Sequence, residues 1–186
     1  MVTIPDPTSC ICRCATNDME IRLLPWRAEL REELAAMCSR VDRRYLSDRL
    51  PHPYSAEDAD FWFRKVAEHE GKDAVYRAIY VNDHLAGSIS LEQSADVYRK
   101  NAEIGYFLLD EYGSCGVMSA AVGMACELAF QTLDILRITA FVFAENTASV
   151  RVLQKNGFQL EGHLRDAAWK NGSAFDVFIF GKMKEN

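Results

Sequence analysis

The sequence predicts a mixed α/β domain with a largely antiparallel sheet and one central β-α-β crossover. Three observations predict it. Strand-like runs and runs of helical period follow one another in the order β-α-α-β-β-β-α-β-α-β-β. Turn signals at Asn82-Asp83-His84 and Asn171-Gly172 sit between apolar runs and join neighbouring strands as hairpins. The run "VMSAAVGMACELAFQTL" (117–133) is apolar on almost every side, the pattern of a helix buried against a sheet.

Each element has its own justification. Residues 1–18 read as a lead-in to one domain spanning 19–186, and "MEIRLL" (19–24) as the first strand. A helix follows from about Arg27, with Leu30, Leu34, Met37 and Cys38 at helical spacing. Pro51 and Pro53 punctuate the loop "SDRLPHPYS". Ser55 then caps a second helix, with Asp58 three residues on completing a capping box, and Ala59, Trp62, Phe63 and Val66 as its buried stripe. "AVYRAIYV" and "LAGSISLE" form the first hairpin, and "AEIGYFLL" (102–109) is a further strand. Beyond the buried helix come the strand "RITAFVFA", a short helix over 147–156, and the strands "FQLEGHLRDAAW" and "SAFDVFIFGKM".

The 186 residues suffice for one domain with a sizeable core. Hydrophobic content of 49 % and charged content of 26 % are those of an ordinary globular chain. A net charge of −6 disfavours a nucleic-acid partner and suits a basic or cationic substrate. No apolar run nears the roughly 20 residues of a membrane helix, so no membrane partner is expected. "MVTIPDPTSC" lacks the basic start and apolar core of a signal peptide. Six cysteines in a chain this long do not define a secreted disulfide scaffold, which places the protein in a reducing cytoplasm.

Several residues carry chemistry. Cys10, Cys12 and Cys14 share one face of an extended segment and would suit a soft metal, or they belong to a plain lead-in. No second cysteine or histidine pair follows at zinc spacing, and no metal is assigned. "YGSCGVMS" takes a strand through a glycine loop into the buried helix, which offers free N–H groups and a positive helix end to an anion. Gly105 interrupts a filled strand and marks a bulge or a close backbone approach. Glu103 alternates onto the face of Phe107 and Leu109, half-buried, where it either accepts a proton or pairs with an Arg or Lys. Asn146 is an N-cap by chemistry. Ser149 shares a helical face with Val152 and Leu153, so its hydroxyl points to the buried side and needs a partner there.

The segments "AEIGYFLLDEYGSCGVMSAAV" and "ENTASVRVLQKNGF", in this element order, resemble the GNAT N-acetyltransferase superfamily. Within it the sequence is similar to the branch that acetylates the N-terminal alanine of ribosomal proteins. The resemblance runs from about Met19 to Lys184, with "LEGHLRDAAWKNGSAFDVFIF" fitting that branch's C-terminal hairpin. It implies a mostly antiparallel sheet with helices on both faces and acetyl-CoA wedged between two splayed strands. Carried over, the backbone of Tyr106, Phe107 and Leu108 pairs with the pantetheine arm. Gly113, Ser114, Cys115, Gly116, Val117, Met118 and Ser119 form the pyrophosphate loop, although only Gly116 keeps the family's motif residue. Gly113 replaces an Arg or Gln, and Met118 replaces a small residue. Asn146 would bond the cofactor arm as well as cap its helix. Glu103 stands where several members keep a general base.

The family's usual tyrosine acid falls on Leu153, and the resemblance passes that role to Ser149. The competing role for Ser149 is a hydrogen bond to the carbonyl one turn back. A catalytic acid of some members falls on Ala168, which leaves proton removal to Glu103. The implied reaction is acetyl transfer from acetyl-CoA to a primary amine, a peptide N-terminus or a small amine, by a monomer or homodimer. The rival from another class is a CoA-binding module without catalysis.

Overall fold

The computed structural model describes residues 10–14 and 19–185. Its elements are β1 (Cys10–Cys14), β2 (Met19–Pro25), α1 (Arg31–Arg40), α2 (Ala56–His69), β3 (Ala74–Val81), β4 (His84–Gln93), β5 (Asn101–Leu108), α3 (Val117–Thr132), β6 (Arg137–Phe143), α4 (Thr147–Lys155), β7 (Gln159–Lys170) and β8 (Ser173–Met183). From β2 onward this is the order expected from the sequence. The addition is β1, which pairs antiparallel with β2 along the sheet edge, inside the stretch taken as a lead-in. The side chains of Cys12 and Cys14 lie outside the described residues, and with them the soft-metal reading of the cysteine run.

Local chemistry sets the boundaries. Ser55 Oγ accepts the Asp58 N–H while the Asp58 carboxylate accepts the Ser55 N–H, the reciprocal box that starts α2. Asn82 and Asp83 both take positive φ (47° and 69°), as do Asn171 and Gly172 (50° and 79°), the backbone a two-residue hairpin turn demands.

The eight strands lie in the order β1-β2-β3-β4-β5-β6-β8-β7. Every neighbouring pair is antiparallel except β5 and β6, which α3 connects as a crossover. That parallel ladder holds three pairs, Asn101–Arg137, Ala102–Ile138 and Glu103–Thr139, and then ends. Beyond it β5 stays paired with β4 through Leu108, and β6 stays paired with β8 through Phe143. Each strand follows its own partner, so the sheet opens into a fork from Ile104 on one side and Ala140 on the other.

Two cores flank the sheet. On one face α3 packs on Ile21, Leu23, Val75, Ile79, Ile89 and Leu91, and its small residues Ala121, Ala125 and Ala129 allow a close approach. On the other, α1 and α2 cover Tyr76, Ala78 and Tyr80 with Leu34, Met37, Ala59 and Val66. The central strand β3 is buried along its whole length, which is why its sequence is nearly all apolar.

Gly105 does not sit in a bulge. The β4–β5 register is continuous from Gly87–Leu108 to Gln93–Ala102. A Cβ on Gly105 would meet only Ser90 Oγ, at 3.5 Å. The irregularity lies one strand over, where Ile79 pairs with Gly87 and Tyr80 with Leu85, leaving Ala86 looped out of the ladder. The Ala86 carbonyl accepts the Leu109 N–H at 2.8 Å and so fixes the end of β5. Gly87 is the glycine that sterics require, because a Cβ there would overlap the Phe107 carbonyl and approach Leu108 Cα to 3.1 Å. Gly87→Ala should therefore cost about 1–3 kcal/mol, the range for overpacking. Gly105→Ala should change stability by no more than about 0.5 kcal/mol. Urea unfolding of the two variants checks the contrast.

Candidate active site

Parallel β5 and β6 bring two helix starts to one end of the fork. The chain leaves the C-terminal end of β5 for α3 and the C-terminal end of β6 for α4, so both helices begin where the strands part. At α3 the loop bends through Ser114 at φ 60° and Gly116 at φ 82°, and no side chain caps the helix. Its first N–H groups and its positive end therefore point past Gly116 toward the fork opening. The Val117 and Met118 side chains lie in the core, so these residues can offer an anion only their backbone. Gly113 is held by its N–H to the Asp110 carbonyl at 2.9 Å, and a Cβ there would lie 3.0 Å from that oxygen. Cys115 is half-buried against the core.

At α4 the sequence expectation for Asn146 holds: its Oδ1 accepts the Ser149 N–H at 3.1 Å. For Ser149 the structure gives a partner that neither sequence reading named. Its Oγ lies 2.6 Å from the phenolic oxygen of Tyr106. Tyr106 shares the α3/α4 side of β5 with Ile104 and Leu108, the side that Ser149 faces from α4. Burial pushes the Tyr106 phenol up to about 12, against a smaller opposing effect of the Ser149 hydrogen bond, so it stays protonated at neutral pH. The far end of α4 is tied to α3 by Asn156, whose Nδ2 donates to the Ser119 carbonyl at 3.0 Å. Leu153 is 0 % exposed and belongs to the core. A tyrosine there has no opening to use.

Glu103 lies on the expected face, and of its two sequence readings the pairing with an Arg is the contact the structure shows. Its side chain is 47 % exposed, and Oε1 lies 3.5 Å from Arg49 Nη2. It lies three positions from Tyr106, an odd offset along the strand, so the carboxylate and the hydroxyl pair occupy opposite faces of the fork. The face of Glu103 is the one left open beyond α1 and α2. On it the base of the fork is bound by a polar chain in which Arg137 Nε donates to Thr139 Oγ1 at 3.2 Å and Thr139 Oγ1 to Asn101 Oδ1 at 2.6 Å. Arg137 also pairs with Glu161 through Nη1 at 2.8 Å, and that hydrogen bond holds the Glu161 carboxyl below its ordinary range. Glu161 is thus committed to an ion pair. Phe141, 52 % exposed, is the open apolar surface beside it.

The loop between α1 and α2 closes over this face. Tyr45 packs on Phe143 with centroids 5.9 Å apart, and Phe143 on Phe175 at 5.5 Å. Lys170, 8 % exposed, donates from Nζ to the Leu46 carbonyl at 2.7 Å and to Asp48 Oδ1 at 2.9 Å. The loop and the β7–β8 hairpin are thus one tethered unit. Sequence reasoning missed Lys170 and Tyr45, whose partners lie more than a hundred residues away for the one and across the sheet for the other. Among the described residues no group of His, Cys, Asp or Glu could hold a metal ion, and no helix is long and apolar enough to cross a membrane.

Residues 20–159 match the family model of the acetyltransferase (GNAT) domain, and the chain belongs to the GNAT acetyltransferase family. The uncharacterized N-acetyltransferase YoaA of Bacillus subtilis (strain 168) is 37 % identical over 100 residues, 54 % of this chain and 56 % of that protein. The ribosomal-protein-serine acetyltransferase of Escherichia coli (strain K12) is 30 % identical over 118 residues, 63 % of this chain and 65 % of that protein. The chain thus matches these relatives over between half and two thirds of their length. RimL, a ribosomal alpha-N-protein acetyltransferase solved in complex with coenzyme A, shares the fold with a TM-score of 0.79 at 22 % identity, over 94 % of this chain and 98 % of that one.

The Lys170 tether gives a test that needs no substrate. Lys170→Met removes two charge-assisted hydrogen bonds and should lower stability by about 1–3 kcal/mol. Trypsin should then cut faster at Arg43, Arg44 or Arg49 in the loop while the rest of the chain keeps its resistance, as mass spectrometry of timed digests would record.

Proposed function

We propose that this protein is an acetyl-CoA-dependent N-acetyltransferase acting on a primary amine, with the N-terminal amine of a protein or peptide as acceptor. The single observation that carries the proposal is the fork. It has two helix starts at its open end, a part-buried hydroxyl pair on one face and an accessible carboxylate on the other. The names of relatives that act on ribosomal proteins support the peptide acceptor. The chain works as one domain, with β1 at its sheet edge, in the cytoplasm as a monomer or homodimer.

The residues fit a CoA thioester through backbone more than side chains. Beyond Glu103 the β6-facing edge of Tyr106, Phe107 and Leu108 has no strand to pair with, and it is free to bind an extended amide-bearing arm. The loop from Gly113 to Ser119 presents N–H groups to a pyrophosphate without needing the missing Arg or Gln. Asn146 offers its NH₂ to the arm while its oxygen caps α4. On the open face Glu103 takes a proton from the incoming ammonium, directly or through one water. Arg49 is its partner until the ammonium arrives. The amine nitrogen then bonds the acetyl carbon as the carbon–sulfur bond breaks, the sulfur keeps the electron pair, and Ser149 donates a hydrogen bond to it from the other face.

Acetyl-CoA should raise the melting temperature, because a ligand selective for the native state stabilises it. A panel of Ala-, Ser- and Met-initiated peptides against polyamines, amino acids and aminoglycosides, read by thiol release, tests the acceptor. Preference for Ala or Ser peptides is expected. A small-amine preference would move the acceptor class, and complete inactivity with confirmed CoA binding would leave a binding module.

Glu103→Gln should lower the rate roughly 10²-fold near neutral pH. The deficit should shrink as pH approaches the amine's own pKa, where the free amine no longer needs a base. A pH–rate profile that the substitution leaves unchanged would remove Glu103 from the reaction.

A further inference from the structure

We propose that Tyr106 is a positioning residue for the departing thiolate, donating its phenolic hydrogen to Ser149 so that the serine hydroxyl aims its own hydrogen into the fork. The proposal rests on the acetyl-transfer reading above and adds a side-chain role to a residue otherwise assigned through its backbone.

Placement brings the two hydroxyls together, and their relative acidity sets the direction of the hydrogen bond. Tyr106 lies on β5 three positions past Glu103, where the β5–β6 ladder has already ended, and its side chain enters the α3/α4 side. Ser149 stands in the first turn of α4, its backbone N–H already taken by Asn146. The two hydroxyl oxygens are 2.6 Å apart, a full-strength O–H···O bond. Each group has one hydrogen and can also accept. A phenol is the stronger donor and an alkyl hydroxyl the stronger acceptor, so Tyr106 donates and Ser149 accepts. The Ser149 hydrogen is then left over for a second acceptor, and donating pairs strengthen one another in a low-dielectric site. Burial keeps the phenol protonated, so the donor persists across the working range. The alternative habit of a helical serine, bonding the carbonyl one turn back, is not adopted: the Ser149 Oγ contact is with Tyr106.

The chemistry balances without a proton leaving either hydroxyl. The nitrogen–carbon bond forms, the carbon–sulfur bond breaks, and sulfur takes the electron pair. Ser149 stabilises that charge by a hydrogen bond, and the surplus proton of the amine neutralises the thiolate afterwards. A lone serine on a short helix would be free to rotate. Held by Tyr106 it has one orientation, and no reorganisation is needed as the charge develops.

Steady-state kinetics and calorimetry together test this. Tyr106→Phe keeps the ring and removes the donor. It should lower kcat about tenfold, the size of one hydrogen bond to a charged group through an intermediary. KM for acetyl-CoA and the melting temperature should hold. Ser149→Ala should lose more, roughly 10²-fold. The double variant should be no slower than Ser149→Ala alone, because the phenol acts only through the serine. An additive double variant, a wild-type kcat in Tyr106→Phe, or a loss confined to KM would overturn the proposal.

A second measurement works even if no amine is acetylated. Wild type should bind CoA more tightly than desulfo-CoA at a pH where the thiol ionises, and both single variants should lose most of that preference. If activity fails on every amine but this preference appears and depends on both residues, the transfer reading falls and the hydroxyl pair stands as a thiolate site. If wild type shows no preference for the sulfur, the pair does not serve it and the proposal falls with activity intact.

Discussion

The structure depends on a three-pair parallel ladder between β5 and β6 that is not allowed to continue. Two strands that are neighbours and parallel would normally zip along their full length. Here β5 is held to β4 as far as Leu108, where the looped-out Ala86 catches Leu109, and β6 is held to β8 as far as Phe143. Both commitments are antiparallel and longer than the shared ladder. The base of the fork is closed by the Asn101–Thr139–Arg137–Glu161 chain, which ties β5, β6 and β7 across the sheet. Such a chain adds little stability at a surface, but it fixes where the opening starts.

Everything at the open end inherits that geometry. The crossover puts the start of α3 and the start of α4 beside the parted strands. Helix α4 is then located by two polar ties and one apolar one: Tyr106 to Ser149 near its start, Asn156 to Ser119 near its end, and Leu153 in the core between them. The fully buried Leu153 explains why a hydroxyl appears at 149 and not at 153. One position faces the fork and the other packs under it, so an acid of tyrosine size could be introduced at 153 only by displacing core.

Much of this was legible in the sequence. Helical period, Asn-Gly and Asn-Asp turns and the Ser55–Asp58 box give every element from β2 onward, all but the start of α1 to within a residue or two, because these are local signals. The edge strand β1 was not legible, since a run of only five residues carries too little pattern to read as a strand. Gly105 misled for a physical reason. A glycine in a strand announces that no side chain is wanted, and the cause can be a neighbour's needs or open space. The crowded site was Gly87, in a stretch that looked regular. At the site, Asn146 was legible because capping is local, whereas the partner of Ser149 required two periods at once, the 2.0 of β5 and the 3.6 of α4. Tyr106 was legible for its backbone but not for its hydroxyl, since alternation shows which face a residue takes but not what meets it there.

The fork also sorts the proposed chemistry by face. Proton removal belongs to the open side, where Glu103 is accessible and already faces a cation in Arg49. Charge on sulfur belongs to the buried side, where a neutral hydroxyl pair in low dielectric does more than it would in water. A carboxylate on that second face would oppose a thiolate, and a hydroxyl pair on the first would be too weak a base for an ammonium. The departures in the proposed phosphate loop follow the same division. Val117 and Met118 send their side chains into the core and only their N–H groups outward, so the core decides those residues while the helix end keeps its donors. A loop that recognises an anion with backbone tolerates exchange of side chains that the anion never touches.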